Sequence, residues 1–178
     1  LVWFYKKTNT GQSVEGWHIT VYTDEACTQK VGTLITNEDG RAGYYLDPGT
    51  YWAKETGDEH GRFEDEYWMV DETVQKFEIK PHEDVSITFT NVQYGRLKIT
   101  KTVEGGGSVE GWQFKITDAE GKVLDGSPFA TDEDGIILTG NLLPGTYTVE
   151  ELLPENSFYQ CVNVNPQTVT VKQGEIAE

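Results

Sequence analysis

Ser13-Val14-Glu15-Gly16-Trp17 recurs as Ser108-Val109-Glu110-Gly111-Trp112, and Thr36-Asn37-Glu38-Asp39-Gly40 recurs as Thr131-Asp132-Glu133-Asp134-Gly135. The offset from Ser13 to Ser108, and from Thr36 to Thr131, is 95 residues. Pro48-Gly49-Thr50-Tyr51 returns one residue later, as Pro144-Gly145-Thr146-Tyr147. Solenoid units repeat at roughly 20 to 50 residues, so a period this long predicts whole domains, each with its own core. The boundary falls at Tyr94 and Gly95, giving residues 1–94 and residues 95–178.

Within each copy the apolar residues alternate over short runs separated by turn clusters, which is the pattern of an all-β sandwich. Trp17, Ile19 and Val21 share one face of a strand, and so do Trp112, Phe114 and Ile116. Val85, Ile87 and Phe89 share another, with Ser86, Thr88 and Thr90 opposite. Asn37 to Gly40 and Asp132 to Gly135 lack the alternating ligands and distal Glu of a calcium loop and read as glycine-terminated hairpin turns. The polar stretch Gly57 to Asp65 reads as a mobile loop.

Composition narrows the function classes. With 30 acidic and 14 basic residues the net charge is −16, a field that repels nucleic-acid phosphates and anionic lipid head groups. No run approaches the roughly 20 apolar residues of a membrane span. The chain opens inside what reads as a strand and stops short of where another is expected, as an excised piece of a longer protein would. Cys27 and Cys161 stand at non-equivalent places in different repeats, which argues against a disulfide framework. His18, His60 and His82 are scattered, and neither cysteine has a partner at metal-ligand spacing, so neither a metal nor another cofactor is expected.

Strand parity singles out a set of polar residues aimed inward. Asn91 continues the series Val85, Ile87, Phe89, and Glu55 is in step with Tyr51 and Ala53. In the opening strand either Lys7, in step with Trp3 and Tyr5, or Lys6, in step with Val2 and Phe4, points inward. Lys7 is preferred because Lys7-Thr8 matches Lys101-Thr102; ungapped alignment of the repeats favours Lys6. In the second repeat Lys101 follows Leu97 and Ile99, and Glu151 follows Tyr147 and Val149. The second copy lacks its last strand, and the counterpart of Asn91 falls about five residues beyond Glu178.

The segments Leu97 to Thr102, Leu143 to Glu151 and Ile87 to Asn91 resemble the B-type repeat of collagen adhesins, the CnaB-like domains of Gram-positive pilins and surface adhesins. The resemblance covers nearly the whole chain, one copy per half. It implies tandem reverse immunoglobulin-like β-sandwiches and an intramolecular isopeptide bond. A first-strand lysine would join a last-strand asparagine, with a glutamate promoting the reaction. Carried onto this chain, Lys7 (alternatively Lys6), Glu55 and Asn91 form the first set; Lys101 and Glu151 form a second whose acceptor is outside the chain.

Burial supports such chemistry independently, because it shifts lysine toward its neutral amine and glutamate toward its protonated acid. Protonated Glu55 would hydrogen-bond the Asn91 carbonyl oxygen and shuttle the proton that lets ammonia leave. The event is a single self-crosslinking, so no enzyme is expected. The expected role is a stalk module of an extracellular, cell-wall-anchored adhesin or pilin, whose partners are neighbouring domains of the same protein. The competing expectation is a module binding host matrix protein or glycan through Trp52, Tyr67 and Trp68.

Overall fold

A computed structural model describes residues 1–155 and 157–178. The chain divides into two compact units, Leu1–Gln93 and Tyr94–Glu178, so Tyr94 goes with the second half. Both are all-β sandwiches.

The first unit contains β1 (Val2–Thr8), β2 (Trp17–Tyr22), β3 (Lys30–Ile35), β4 (Arg41–Tyr44), β5 (Gly49–Asp58), β6 (Trp68–Met69), β7 (Gln75–Ile79) and β8 (Val85–Gln93). One sheet has the order β4-β1-β8-β6 and the other β3-β2-β5-β7. Alternation along β1, β2, β5, β7 and β8 turns Val2, Phe4, Ile19, Val21, Ala53, Phe77, Ile79, Ile87 and Phe89 into one buried layer. The first and last strands lie side by side in parallel, with Val2 opposite Val85, Lys6 opposite Phe89 and Thr8 opposite Asn91. That pairing joins the two ends of the unit and places polar residues of both strands near each other.

The second unit contains β9 (Arg96–Thr100), β10 (Gln113–Thr117), β11 (Phe129–Ala130), β12 (Ile136–Leu138), β13 (Gly145–Leu152), β14 (Gln167–Val171) and β15 (Ile176–Ala177). Its sheets are β11-β10-β13-β14 and β12-β9-β15. Leu97, Ile116, Tyr147 and Val171 are its innermost side chains. The expectation of a missing last strand needs correcting: the short β15 pairs in parallel with β9, Ile176 opposite Arg96 and Ala177 opposite Leu97. Leu97 corresponds to Val2, so Ala177 takes the place that Val85 holds in the first unit.

The Asn37 to Gly40 turn is not a hairpin. It joins β3 to β4, which belong to different sheets, and so forms a corner of the sandwich. The Asn37 carboxamide oxygen accepts the N–H groups of Asp39 and Arg41, and Gly40 adopts φ 71°, a left-handed value that favours glycine. Its carbonyl accepts the Lys6 N–H at 2.7 Å. Asp132 and Gly135 repeat the corner, with Lys101 N–H on the Gly135 carbonyl at 2.7 Å. A β-carbon on either glycine would come within 2.7 Å of the lysine's carbonyl oxygen.

Gly57 to Asp65 is tethered rather than loose, contrary to the mobile loop expected. The Asp58 carboxylate accepts the N–H groups of His60 and Phe63 and the Arg62 Nε, each at 2.9 Å. A short 3-10 turn, Arg62–Glu64, results.

Candidate isopeptide site

The first unit encloses an amine, a carboxyl and a carboxamide. Lys6 is 3% exposed, Glu55 4% and Asn91 0%. Lys6 from β1 forms an ion pair with Glu55 Oε1 from β5, across the space between the sheets. Lys7, the preferred lysine of the sequence reading, is exposed. The correction has a simple cause: Val2 and Phe4 occupy the core, so even-numbered positions of β1 face inward and the Lys-Thr dipeptide match does not set the register.

Three further groups shape the pocket. The Lys6 ammonium lies 4.6 Å from the centroid of the Trp17 ring. Trp17 is itself fully buried, held by its indole N–H on the Ser13 carbonyl at 2.7 Å and packed edge-on against Trp68 at 5.4 Å. Buried Thr36 donates to the Val14 carbonyl at 2.6 Å and accepts the Trp17 N–H at 3.0 Å. The repeated motif is therefore a clamp that presents a tryptophan to the lysine. Arg62 adds to it, with its guanidinium 4.4 Å from the Trp17 centroid and one nitrogen donating to the Ser13 carbonyl.

Asn91 is oriented by the loop before β7. Its Oδ1 accepts the backbone N–H of Asp71 at 2.6 Å. Among the described residues no well-formed hydrogen bond reaches its buried Nδ2 or the second oxygen of Glu55, although the Asn91 carboxamide is near enough to Glu55 to favour its charged form. Leaving such groups without a partner costs about 1–3 kcal/mol each. The division differs from the one the sequence suggests, because the carbonyl oxygen is held by a backbone amide rather than by Glu55.

Desolvation dominates the titration of both ionisable partners. Burial pulls Lys6 down from 10.5 to about 8 against the opposing attraction of Glu55. Burial likewise raises Glu55, although Lys6 and Asn91 work in the other direction. Relative to water, both shifts favour an uncharged amine beside an uncharged acid, the forms needed for nucleophilic attack and proton transfer.

The second unit reproduces part of this arrangement in a wetter setting. Lys101 Nζ is 2.6 Å from Glu151 Oε1, with side chains 14% and 13% exposed, and lies 4.2 Å from the Trp112 centroid. Thr131 and Ser108 hold Trp112 as Thr36 and Ser13 hold Trp17. The second oxygen of Glu151 accepts the Cys161 thiol at 3.2 Å. Burial raises the Cys161 thiol, as does its bond to that carboxylate. A cleft of about 420 Å³ runs alongside, bordered by Ile99, Lys101, Phe114, Val149, Glu151 and Val169.

Sequence reasoning missed Trp17, Trp112 and Asp71 as members of the site. The tryptophans carried a usable signal, since Trp17 to Trp112 and Lys6 to Lys101 share the 95-residue offset of the repeat. Asp71 carried none, because its backbone acts. The aromatics considered for ligand binding do not make one exposed platform: Trp68 is buried against Trp17, and Trp52 is half-buried with the Lys76 ammonium 5.6 Å from its ring. Among the described residues no cluster of His, Cys, Asp or Glu could hold a metal ion, and no helix is long and apolar enough to cross a membrane.

Comparison with known proteins places the two domains in a family. The Bacillus anthracis TIE protein is 25% identical, with 98% of this chain aligned to 32% of that one at a TM-score of 0.51. A streptococcal ancillary pilin is 19% identical over 98% of this chain and 60% of its own, with a TM-score of 0.43. GBS52, the minor pilin of Streptococcus agalactiae, is 17% identical over 98% of this chain and 91% of its own, with a TM-score of 0.39. The chain thus spans about a third of the length of the first of these proteins and 60% of the second. No curated protein matches. Residues 2–93 and 95–178 each match the family model described as the SpaA prealbumin-like fold domain, and the chain belongs to that family.

Proposed function

We propose that the first unit crosslinks itself through an isopeptide bond between Lys6 and Asn91, and that the chain is a tension-bearing segment of a surface-exposed stalk. The observation that carries this reading is the enclosure of Lys6, Glu55 and Asn91 together, with the departing atom, Asn91 Nδ2, in no well-formed hydrogen bond among the described residues.

The chemistry follows from the positions of the groups. Glu55 takes a proton from the Lys6 ammonium, and the neutral amine attacks the Asn91 Cγ to form the Nζ–Cγ bond. The carbonyl electrons move onto Oδ1 and return as the Cγ–Nδ2 bond breaks. Glu55 delivers its proton to Nδ2, which leaves as ammonia, and then takes the second proton that Nζ sheds as the amide forms, ending as the neutral acid. Packing makes the step intramolecular, an advantage of roughly 7 to 11 kcal/mol when the geometry is right. Each chain reacts once, so the activity is self-modification rather than turnover.

Mechanical consequences follow from topology. β1 and β8 are the end strands of the unit and adjacent in one sheet, so force applied at the two ends is borne by a covalent bridge between them. Pilin and surface-protein relatives are compatible with this role. Intact mass tests the bond: the folded chain should be lighter by one ammonia, the loss should vanish in Lys6→Arg and persist in Lys7→Arg. A folded chain at its full mass refutes it.

A further inference from the structure

We infer that the backbone N–H of Asp71 is the oxyanion donor of this reaction, and that the Asp71 side chain is the device that aims it. The inference rests on the crosslink reading and adds a group outside the lysine, glutamate and asparagine set. Attack on the Asn91 Cγ places a negative charge on Oδ1, and a donor already directed at that atom stabilises the transition state more than the neutral carboxamide. The Asp71 N–H is 2.6 Å from Oδ1, and Asn91 is wholly buried. With the oxygen so occupied, Glu55 is left to handle protons on the two nitrogens, as its second oxygen and the nearby Nδ2, neither in a well-formed hydrogen bond, suit it to do.

The donor is held from the far side. Asp71 Oδ1 accepts both the N–H and the hydroxyl of Thr73, at 3.1 and 2.6 Å, and closes a tight turn ahead of β7. Its Oδ2 accepts the N–H of Thr90, the residue before Asn91, at 3.2 Å. The carboxylate therefore ties the turn to β8 beside the reacting carboxamide. An N–H held by three side-chain contacts needs little reorganisation when charge develops. Asp71 is a positioning residue through its side chain and touches the reacting atom only through its amide.

The test uses the full chain, refolded from denaturant before the bond has closed, with intact mass followed against time. An ester in place of the Val70–Asp71 peptide, installed by ligation, keeps every side chain and deletes only the donor. Closure is expected to slow by about a hundredfold or more. Asp71→Ala, which frees the turn, should slow it on the order of ten- to a hundredfold, and Asp71→Asn, which keeps an acceptor for Thr73, should recover most of the rate. The same changes in a Glu55→Gln background, where no bond forms, measure their effect on the melting temperature alone. A wild-type chain that folds but never sheds ammonia overturns the crosslink reading itself. A wild-type chain that closes, with the ester and Asp71→Ala closing as fast or slowing only in step with lost stability, overturns the role of Asp71 and leaves the crosslink standing.

Discussion

The two units present one lysine–glutamate pair in two environments. Lys6 and Glu55 are sealed, whereas Lys101 and Glu151 remain 14% and 13% exposed beside an open cleft. Both lysines lie over the tryptophan of the repeated motif and donate their N–H to the glycine of the corner turn. The difference lies in the neighbouring strand. β8 runs the length of β1 and buries an asparagine against the pair, while β15 covers only the beginning of β9. Where Glu55 faces a carboxamide, Glu151 meets the Cys161 thiol. Closure of the sheet is thus what desolvates the first pair, and that desolvation lowers Lys6 and raises Glu55.

Breaking the first unit's pair should have the largest effect. Asn91→Ala removes the proposed bridge across the chain from Lys6, and a crosslink of such a long loop contributes roughly 4–5 kcal/mol in the chain-entropy model. Calorimetry should show the first unit melting much earlier while the transition of the second stays in place. Glu55→Gln should also prevent the loss of ammonia, and it leaves a buried lysine without its counter-charge at a cost of about 3–5 kcal/mol. Glu151→Gln, at a less deeply buried pair, should cost the second unit less than Glu55→Gln costs the first.

Titration sharpens the same contrast. In Asn91→Ala the unreacted pair remains, and Lys6 holds its proton less tightly in the folded than in the unfolded chain. Between about 8 and 10.5 the unfolded state therefore binds more protons, and stability should rise with pH through that window. Glu55 acts in the opposite sense: its folded value is raised, so stability should fall as pH climbs from the unfolded value of 4.5 through the folded one. Denaturant melts of the variant across pH read both limbs. Loss of the first limb in a Lys6→Met, Asn91→Ala double variant would assign it to Lys6.

A smaller effect should be shared equally. Gly40→Ala and Gly135→Ala each force a β-carbon within 2.7 Å of a lysine carbonyl oxygen, from backbones at φ 71° and 79°. Each is expected to destabilise its own unit by about 1–3 kcal/mol, with matching shifts in the two melting transitions. Unequal shifts would mean that the corners are not equivalent supports. Cys161→Ser should be smallest, under about 1 kcal/mol in the second unit, and should leave the mass and stability of the first unchanged.

Much of this architecture was legible because strand geometry is local. The period of two placed Glu55 and Asn91 on inward faces, and the 95-residue recurrence marked two domains. Lys6 was within reach of the same logic, since Val2 and Phe4 define the buried face, and a dipeptide match with Lys101-Thr102 misdirected the preference to Lys7. The corner at Asn37 reads as a hairpin in the sequence because a glycine turn looks alike whether the chain stays in one sheet or crosses to the other. The acidic stretch after β5 looked loose because hydrogen bonds from Asp58 to groups a few residues away leave no periodic trace.

By itself the order of residues determined two β-sandwich domains and a short set of inward polar side chains, because alternation along a strand depends only on neighbours in the chain. Only the tertiary structure decided which of these side chains share a dry pocket, that Trp17 roofs the amine, and that the Asp71 N–H lies on the carboxamide oxygen. Those contacts join residues remote along the chain, and they arise from the parallel pairing of the end strands and the packing of one sheet on another, for which the sequence has no local mark.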